Sequence, residues 1–536
     1  MSAGLSRCAA TATALVAGAA LCLAVGLARD AWACAGPPRC VAPPAKRVAP
    51  AGRIVFGALG SVARMLPAQA YGVDAAGRPV TAFAQPADGR LRLVAVRWTQ
   101  DGAVDGGFGT GDSGAGVAQV FVDVATDATG PPRIAGTSDG GLLIAVPLRG
   151  IAASHRIALL RLDAAGRLAS AFGAGGVAVL DGVQLTAGPQ ELAGGAIAVA
   201  GATVASAGRL AMLGAGGEPD VGFGQGGAIT LPDRPTALAA AGDGLVVGLR
   251  TPAAQVRILR LDRSGRPDER SGPGGIQAAA LPGADAAAPE TLRAADGGTV
   301  TAVGTAQRAQ PGAPNDAGPA PVRFAARFPI AGAGAAVPLP ADGVAGADAA
   351  GRVLVAAPDG SRIRRYATDG RLDRTFAGSG SATTRLPRSV TRNPAVLAVL
   401  ADGTIVTGGP GTWDDVPVPA FLRLRADGSA ERGFGPRLLT PRQISARLRA
   451  HDVIALRVHC AGDAQRRCVV RLRAGARSVR AFVAPGGDRR IPVRVGAAQA
   501  RRIRARGRAI VRVRYSVIDE AVRVEALDAP IVVRGR

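Results

Sequence analysis

The strongest constraint on the fold is a phrase that recurs along the chain. It is most legible as Arg161-Leu162-Asp163-Ala164-Ala165-Gly166-Arg167-Leu168 followed by Ala171-Phe172-Gly173-Ala174-Gly175-Gly176. It reads as a basic-apolar strand end, a turn built on Asp or Gly, and then Phe-Gly-x-Gly-Gly. Self-similarity over several tens of residues confines a chain to blades or coils, because each copy buries its apolar face only against its neighbours.

Further copies run from Trp98 through Asp101-Gly102 to Phe108-Gly109, and from Leu213 through Asp220 to Phe223-Gly224-Gln225-Gly226-Gly227. Two more run from Tyr366 through Asp369-Gly370 to Phe376, and from Leu424 through Asp427-Gly428 to Phe434-Gly435. Two copies are worn. Leu261 to Asp268 leads into Gly272-Pro273-Gly274-Gly275, with Pro273 read in the place of Phe, and the stretch around Phe324 and Phe328 keeps only the apolar pattern. Phe56-Gly57 stands alone, the tail of a copy without its head.

These marks bound seven intervals of about fifty to sixty residues, the length of a propeller blade. Each interval holds about four short apolar runs separated by Gly-rich turns. Ser138-Asp139-Gly140-Gly141, leading into Leu142 to Val146, is a clear hairpin signal. In the phrase, Gly supplies backbone conformations closed to other residues and Asp bonds the turn's own amides. Phe is its one large apolar group and reads as a wedge between neighbouring units. The expected fold is all-β: a seven-bladed β-propeller, with six or eight blades compatible with the worn copies, followed by a small immunoglobulin-like β-sandwich. The orphan Phe56-Gly57 complements the unit ending at Gly435, so the first and last segments are expected to share a blade and close the ring. An open array would leave exposed sheet edges.

The phrase resembles the delta-60 repeat of bacterial proteins, whose units read Leu-x-Arg-Leu-x-x-Asp-Gly-x-Leu-Asp-x-x-Phe-Gly-x-Gly-Gly, over about residues 51 to 440. The resemblance implies a β-propeller in a secreted, surface-associated setting, and it implies no catalytic residues.

Residues 1–33 read as a secretory signal, with Arg7 in the positive segment, Ala9 to Ala28 as the apolar core and Ala31-Trp32-Ala33 as the cleavage site. Retention of that segment as an uncleaved anchor is the alternative, and the only expected membrane contact. Residues 34–50 form a Pro-rich linker, 51–439 the propeller and 440–536 a basic β-sandwich of six or seven strands. Among six cysteines, Cys8 and Cys22 fall in the signal. Cys34 with Cys40 and Cys460 with Cys468 are the expected disulfides of an exported chain. Their spacing is unlike a zinc site, and neither metal nor cofactor is expected.

The net charge of +24 is carried almost entirely by Arg, Lys46 being the single lysine. With Ala, Gly and Pro abundant, this is the composition of a GC-rich genome of the actinobacterial kind, so codon supply accounts for part of the charge. From residue 441 onward 23 arginines face seven acids. In Val511-Arg512-Val513-Arg514-Tyr515 strict alternation puts the arginines on one sheet face, suited either to an anionic polymer or to plain solvation. Aromatic residues are 3% of the chain, which argues against nucleic acid and against sugar stacking.

Gly111-Asp112-Ser113-Gly114 matches the tetrapeptide around a protease serine, but it falls in the repeat's glycine turn, and His155, His451 and His459 all follow it. Asp414-Asp415 beside Trp413 is the best acid-aromatic pair, yet adjacent residues on a strand point to opposite faces. The expected function is therefore a non-enzymatic, monomeric binding or scaffold protein of the cell envelope, contacting an anionic wall polymer or a surface protein. A propeller-type polysaccharide lyase or glycoside hydrolase is the alternative.

Overall fold

The computed structural model describes residues 70–535 apart from short loop segments, among them 103–104, 110–115, 309–319, 414–415, 432–438 and 461–467, together with strands at 33–34, 40–41 and 53–56. The signal segment before Ala33, the tetrapeptide at Gly111, the pair Asp414-Asp415, and Phe434 lie outside the described residues.

Two units are distinguished, Met1–Ala49 and Pro50–Arg536. In the first, Ala33–Cys34 and Cys40–Val41 pair as an antiparallel ribbon with Cys34 directly opposite Cys40; the side chains of both cysteines are outside those described.

The described residues of the second unit are all-β except for one α-helix and a few short 3₁₀ turns. It is built mainly from four-stranded antiparallel sheets in which consecutive strands are neighbours. Sheet 1 is Ala70–Val73, Pro79–Ala87, Arg90–Arg97 and Val117–Val122, and sheet 2 is Arg133–Gly136, Leu142–Arg149, His155–Leu162 and Val177–Asp181. Sheets 3, 4, 5 and 6 start at Gln184, Pro235, Ala286 and Val344 and end at Leu231, Ala280, Leu339 and Thr383. A seventh set holds Val396–Val399, Ile405–Trp413 and Val416–Leu424, and its fourth strand is Arg53–Phe56 from the other end of the unit, with Arg53 opposite Leu422.

The first strand of each sheet lies against the first strand of the next, and that of the seventh set lies against that of sheet 1. This cyclic contact makes the arrangement propeller-like. The seam between the last set and the first is a single apolar cluster in which Phe83, Val94 and Trp98 pack on Val406 and Phe421, with the Trp98 and Phe421 rings 5.5 Å apart. Burying rings of this size contributes about 2–3 kcal/mol each.

The free edge of Arg53–Phe56 is not left open. Val55 and Phe56 pair with Val524 and Arg523 of the long strand Arg523–Arg534. Sheet hydrogen bonding therefore runs from the seventh set into Arg508–Asp519, Cys468–Arg473 and Ser478–Val483. A second, three-stranded sheet joins Leu439–Pro441, Val453–Cys460 and Asp488–Arg494. Both sheets alternate buried aliphatic with exposed residues: Ile454, Leu456 and Val458 inside, Arg490 and Arg494 outside. A disulfide joins Cys460 of one sheet to Cys468 of the other. The α-helix Ala497–Arg506 buries Ala500 and Ile503 and stops at Gly507 in the left-handed region. No helix among the described residues is long and apolar enough to cross a membrane.

Candidate binding surfaces

The phrase builds the seams between sheets. Phe108, Phe172, Phe223 and Phe376 are fully buried, and each sits in a cluster shared by its own sheet and the next. The turn glycine of the following copy presses on the ring: Gly166 on Phe108, Gly217 on Phe172, Gly265 on Phe223 and Gly428 on Phe376. A Cβ at Gly428 would lie 2.7 Å from the Phe376 ring. One hydrogen bond repeats beside each ring. The amide after Phe donates to the turn carbonyl of the next copy, Gly109 to Ala165 at 2.8 Å, Gly173 to Gly216 at 2.6 Å, Gly224 to Ser264 at 2.9 Å and Ala377 to Asp427 at 2.7 Å.

Within each turn the expected Asp and Gly residues serve the backbone. Asp369 and Asp427 accept from the amides of Arg371 and Ser429 at 3.0 and 2.7 Å. Asp101 contacts the Thr99 hydroxyl. Gly102, Gly370 and Gly428 all carry positive φ and close the hairpin through their own N–H. Phe56 ends the closing strand Arg53–Phe56; its side chain is outside those described.

The sequence reading missed the arginine that precedes the turn. Arg97 is 2% exposed and bonds Asp105 at 2.7 Å, Gly140 O at 2.9 Å and Ala164 O at 2.6 Å, with its guanidinium 4.3 Å from the Phe108 ring centre. Arg365 repeats this on Asp373, Ala426 O and Phe376, and Arg161 reaches Ala215 O. Arg423 makes the same bond from the seventh set to Gln100 O of sheet 1, at 2.9 Å. The seam that closes the cycle is thus chemically one of the set. The signal was present in the sequence as Arg four residues before Asp-Gly, in Arg97 and Asp101, Arg365 and Asp369, and Arg423 and Asp427, but abundant arginine hid it.

One reading is corrected. Counted from Asp268, the Phe position of the fourth copy is held by Ser271, not Pro273: Ser271 N donates to Asp268 O at 2.9 Å as Phe108 N does to Asp105 O. Gly272-Pro273-Gly274-Gly275 lies beyond it, in a tight turn. Ser271 is buried and its hydroxyl bonds Ile330 O.

The innermost strands contribute Tyr71, Arg133 and Arg293. Burial pushes the Tyr71 hydroxyl up to about 12 and lowers the Arg133 guanidinium below its ordinary value. Arg293 passes over sheet 6 to bond Val399 O of the seventh set at 3.3 Å. His155 opens the third strand of sheet 2, and His459 Nδ1 lies 3.6 Å from Asp488 Oδ1. Among the described residues no group of three or more His, Cys, Asp and Glu is placed to hold a metal ion.

The C-terminal sheet presents a different surface. Arg471 lies directly opposite Arg480, Arg473 opposite Arg514, and Arg508 opposite Arg534. Strand alternation places Arg471, Arg473, Arg480, Arg508, Arg512 and Arg534 on one face, and Arg471, Arg473, Arg480 and Arg512 are exposed while Val511 and Val513 are buried beneath. Asp528, opposite Arg514, is an acid in the same rows.

No family model and no curated protein matches this chain. Among solved structures, the extracellular region of plexin A4 aligns with 91% of this chain and 67% of its own, at 9% identity and a TM-score of 0.31. Synechocystis apocarotenoid oxygenase aligns with 66% of this chain and 71% of its own, at 11% identity and a TM-score of 0.27. Likenesses at this level carry no argument about function.

Proposed function

We propose that this chain is an exported, non-enzymatic scaffold of the cell envelope. In this reading delta-60-like repeats form a closed seven-bladed β-propeller that carries an immunoglobulin-like sandwich, and the sandwich grips an anionic wall polymer. The cyclic contact of first strands and the recurring arginine bond, Arg423 to Gln100 O included, support seven blades. The Cys460–Cys468 bond suits an oxidising compartment outside the cytoplasm.

One observation carries the polymer: the cross-strand arginine pairs on one sheet face. Codon supply favours arginine without setting its register. Rows of guanidinium groups at strand spacing, about 4.8 Å apart, match the repeated charges of a phosphate or carboxylate polymer, which they hold by forked hydrogen bonds. The test is retention of the purified protein on isolated cell wall over a salt gradient. The chain with Arg471, Arg473 and Arg480 changed to Gln is expected to elute at markedly lower salt. Equal retention of that variant, or of a chain lacking residues 441–536, overturns the reading.

A further inference from the structure

Sheet 3 carries an open cleft of about 450 Å³, lined by the strands Gly208–Leu213 and Ala228–Leu231, the turn at Gly224-Gln225 and the loop end at Thr203. Cavities of this size hold small molecules. Its polar side chains are Arg209, Thr203, Gln225 and Thr230, and no acid is among the lining residues. The sequence from Thr203 to Arg209 and from Gly224 to Thr230 contains no Asp or Glu.

Other sheets carry the same arginine. On the third strands of sheets 3, 4 and 6 it stands opposite one position of the fourth strand, Arg209 opposite Thr230, Arg257 opposite Ala278 and Arg362 opposite Thr383. Each of those partners is seven residues after the Phe position, at Phe223, Ser271 and Phe376. Arg257 is paired with Asp233 at 3.1 Å. Arg362 acts on Asp359, whose carboxyl the Ser361 amide and hydroxyl, and then that arginine, hold below the usual carboxylate range. Among the described residues the exposed Arg209 side chain has neither an ion pair nor a hydrogen bond. Its neighbours suit hydroxyl groups. The Thr203 hydroxyl donates to Ala207 O at 3.3 Å, which leaves its lone pairs to accept. The side chains of Gln225 and Thr230 are exposed and have no hydrogen-bond partner among the described residues, and each can both donate and accept.

We propose that this cleft binds an acidic sugar, a hexuronate unit, with its carboxylate on the Arg209 guanidinium and its hydroxyls on Thr203, Gln225 and Thr230. One arginine without an acid matches one negative charge, held by forked hydrogen bonds. A phosphate group offers acceptors alone and leaves the accepting oxygens of Thr203 and Gln225 unused, whereas a sugar hydroxyl both gives and takes a hydrogen bond. Recognition through hydrogen bonds needs no aromatic platform. The site is separate from the arginine face of the C-terminal sheet and does not depend on it.

The test is a saturation-transfer NMR titration of the full chain with glucuronate, glucose and acetate. Glucuronate is expected to saturate. Glucose, without the carboxylate, and acetate, without the hydroxyls, are expected to bind about tenfold more weakly, the worth of one charge-assisted or two neutral hydrogen bonds. Arg209→Gln is expected to weaken glucuronate about tenfold, while Arg257→Gln at the sibling position leaves it unchanged. The variant with Arg471, Arg473 and Arg480 changed to Gln should keep glucuronate binding, which separates this site from the C-terminal face. No saturable glucuronate binding, glucose or acetate binding as tightly, unchanged binding in Arg209→Gln, or loss in the C-terminal variant overturns the assignment. If Arg209→Gln does not fold, Gln225→Ala decides: it should weaken glucuronate and leave acetate unchanged, and undiminished glucuronate binding overturns the proposal.

Discussion

Gly217 and Gly175 belong to neighbouring copies of the same phrase, and the structure assigns them different work. Gly217 has φ +86°, and a Cβ on it would lie 2.8 Å from Gly173 N and 2.9 Å from Cε2 of Phe172. Gly175 has φ +64° with nothing within 4 Å of the same atom. Replacing Gly175 by Ala therefore costs the left-handed backbone alone, about 1 kcal/mol. Replacing Gly217 adds overpacking against a fully buried ring, about 1–3 kcal/mol, and loosens the bond from Gly173 N to Gly216 O, worth about 1 kcal/mol. Gly217→Ala should thus be the more destabilising by about 2–4 kcal/mol. Urea unfolding followed by tryptophan fluorescence measures the difference, and amide exchange locates it. Protection should fall in Gln184–Glu191 and Gly208–Leu213, the strands beside the seam. If the two variants unfold at the same urea concentration, Phe-on-glycine packing does not hold the sheets together.

Changing Arg423 to Met removes the bond to Gln100 O and should lower amide protection at the seam between the seventh set and sheet 1, by exchange measured around Trp98 and Phe421, while sheets 3 and 4 keep theirs. Opening the Cys460–Cys468 bond, eight residues apart, by changing both to Ser should destabilise the C-terminal sheets by about 2–3 kcal/mol on loop-closure grounds, read as an earlier thermal transition that reductant no longer shifts. Hydrogen bonds from Thr375 hold the Asp373 carboxyl below the usual carboxylate range, and the Thr404 amide does the same for Asp402. A carboxylate depressed on folding contributes stability that is present above its unfolded pKa, about 4, and lost as pH falls through the folded value. Unfolding midpoints should therefore be flat from neutral pH to about 5 and fall below about 4, and Asp373→Asn should flatten that fall.

What recurs was legible. Phe, the turn Asp and the turn Gly stand at fixed offsets in several copies, and a side chain that must sit in every seam leaves a period in the sequence. The orphan Phe56-Gly57 was legible as half of a shared set for the same reason. The onward pairing of Val55 and Phe56 with Val524 and Arg523 was not, because sheet edges join through backbone groups that every residue carries. The seam arginine was obscured by composition, since a chain with one lysine and arginine everywhere offers no contrast. Pro273 was placed there wrongly because Ser271 has none of the apolar bulk that marks Phe172 and Phe223. Ser271 stands three residues after Asp268 and four before Gly275, the spacing of Phe223 between Asp220 and Gly227, so the fourth copy keeps its length and only the ring is replaced.

A repeated fold supplies its own controls, and this is what separates the two candidate surfaces in kind. Arg97, Arg365 and Arg260 occupy one position in one architecture, so the direct ion pair that the first two make and the third does not isolates a single difference. Asp268 has not been lost from the sequence; it is present and held by Arg270 two residues on. The arginine face of the C-terminal sheet has no sibling to compare with, so its argument rests on register: charge alone follows from composition, whereas Arg471 opposite Arg480 and Arg473 opposite Arg514 follow only from where the strands are paired.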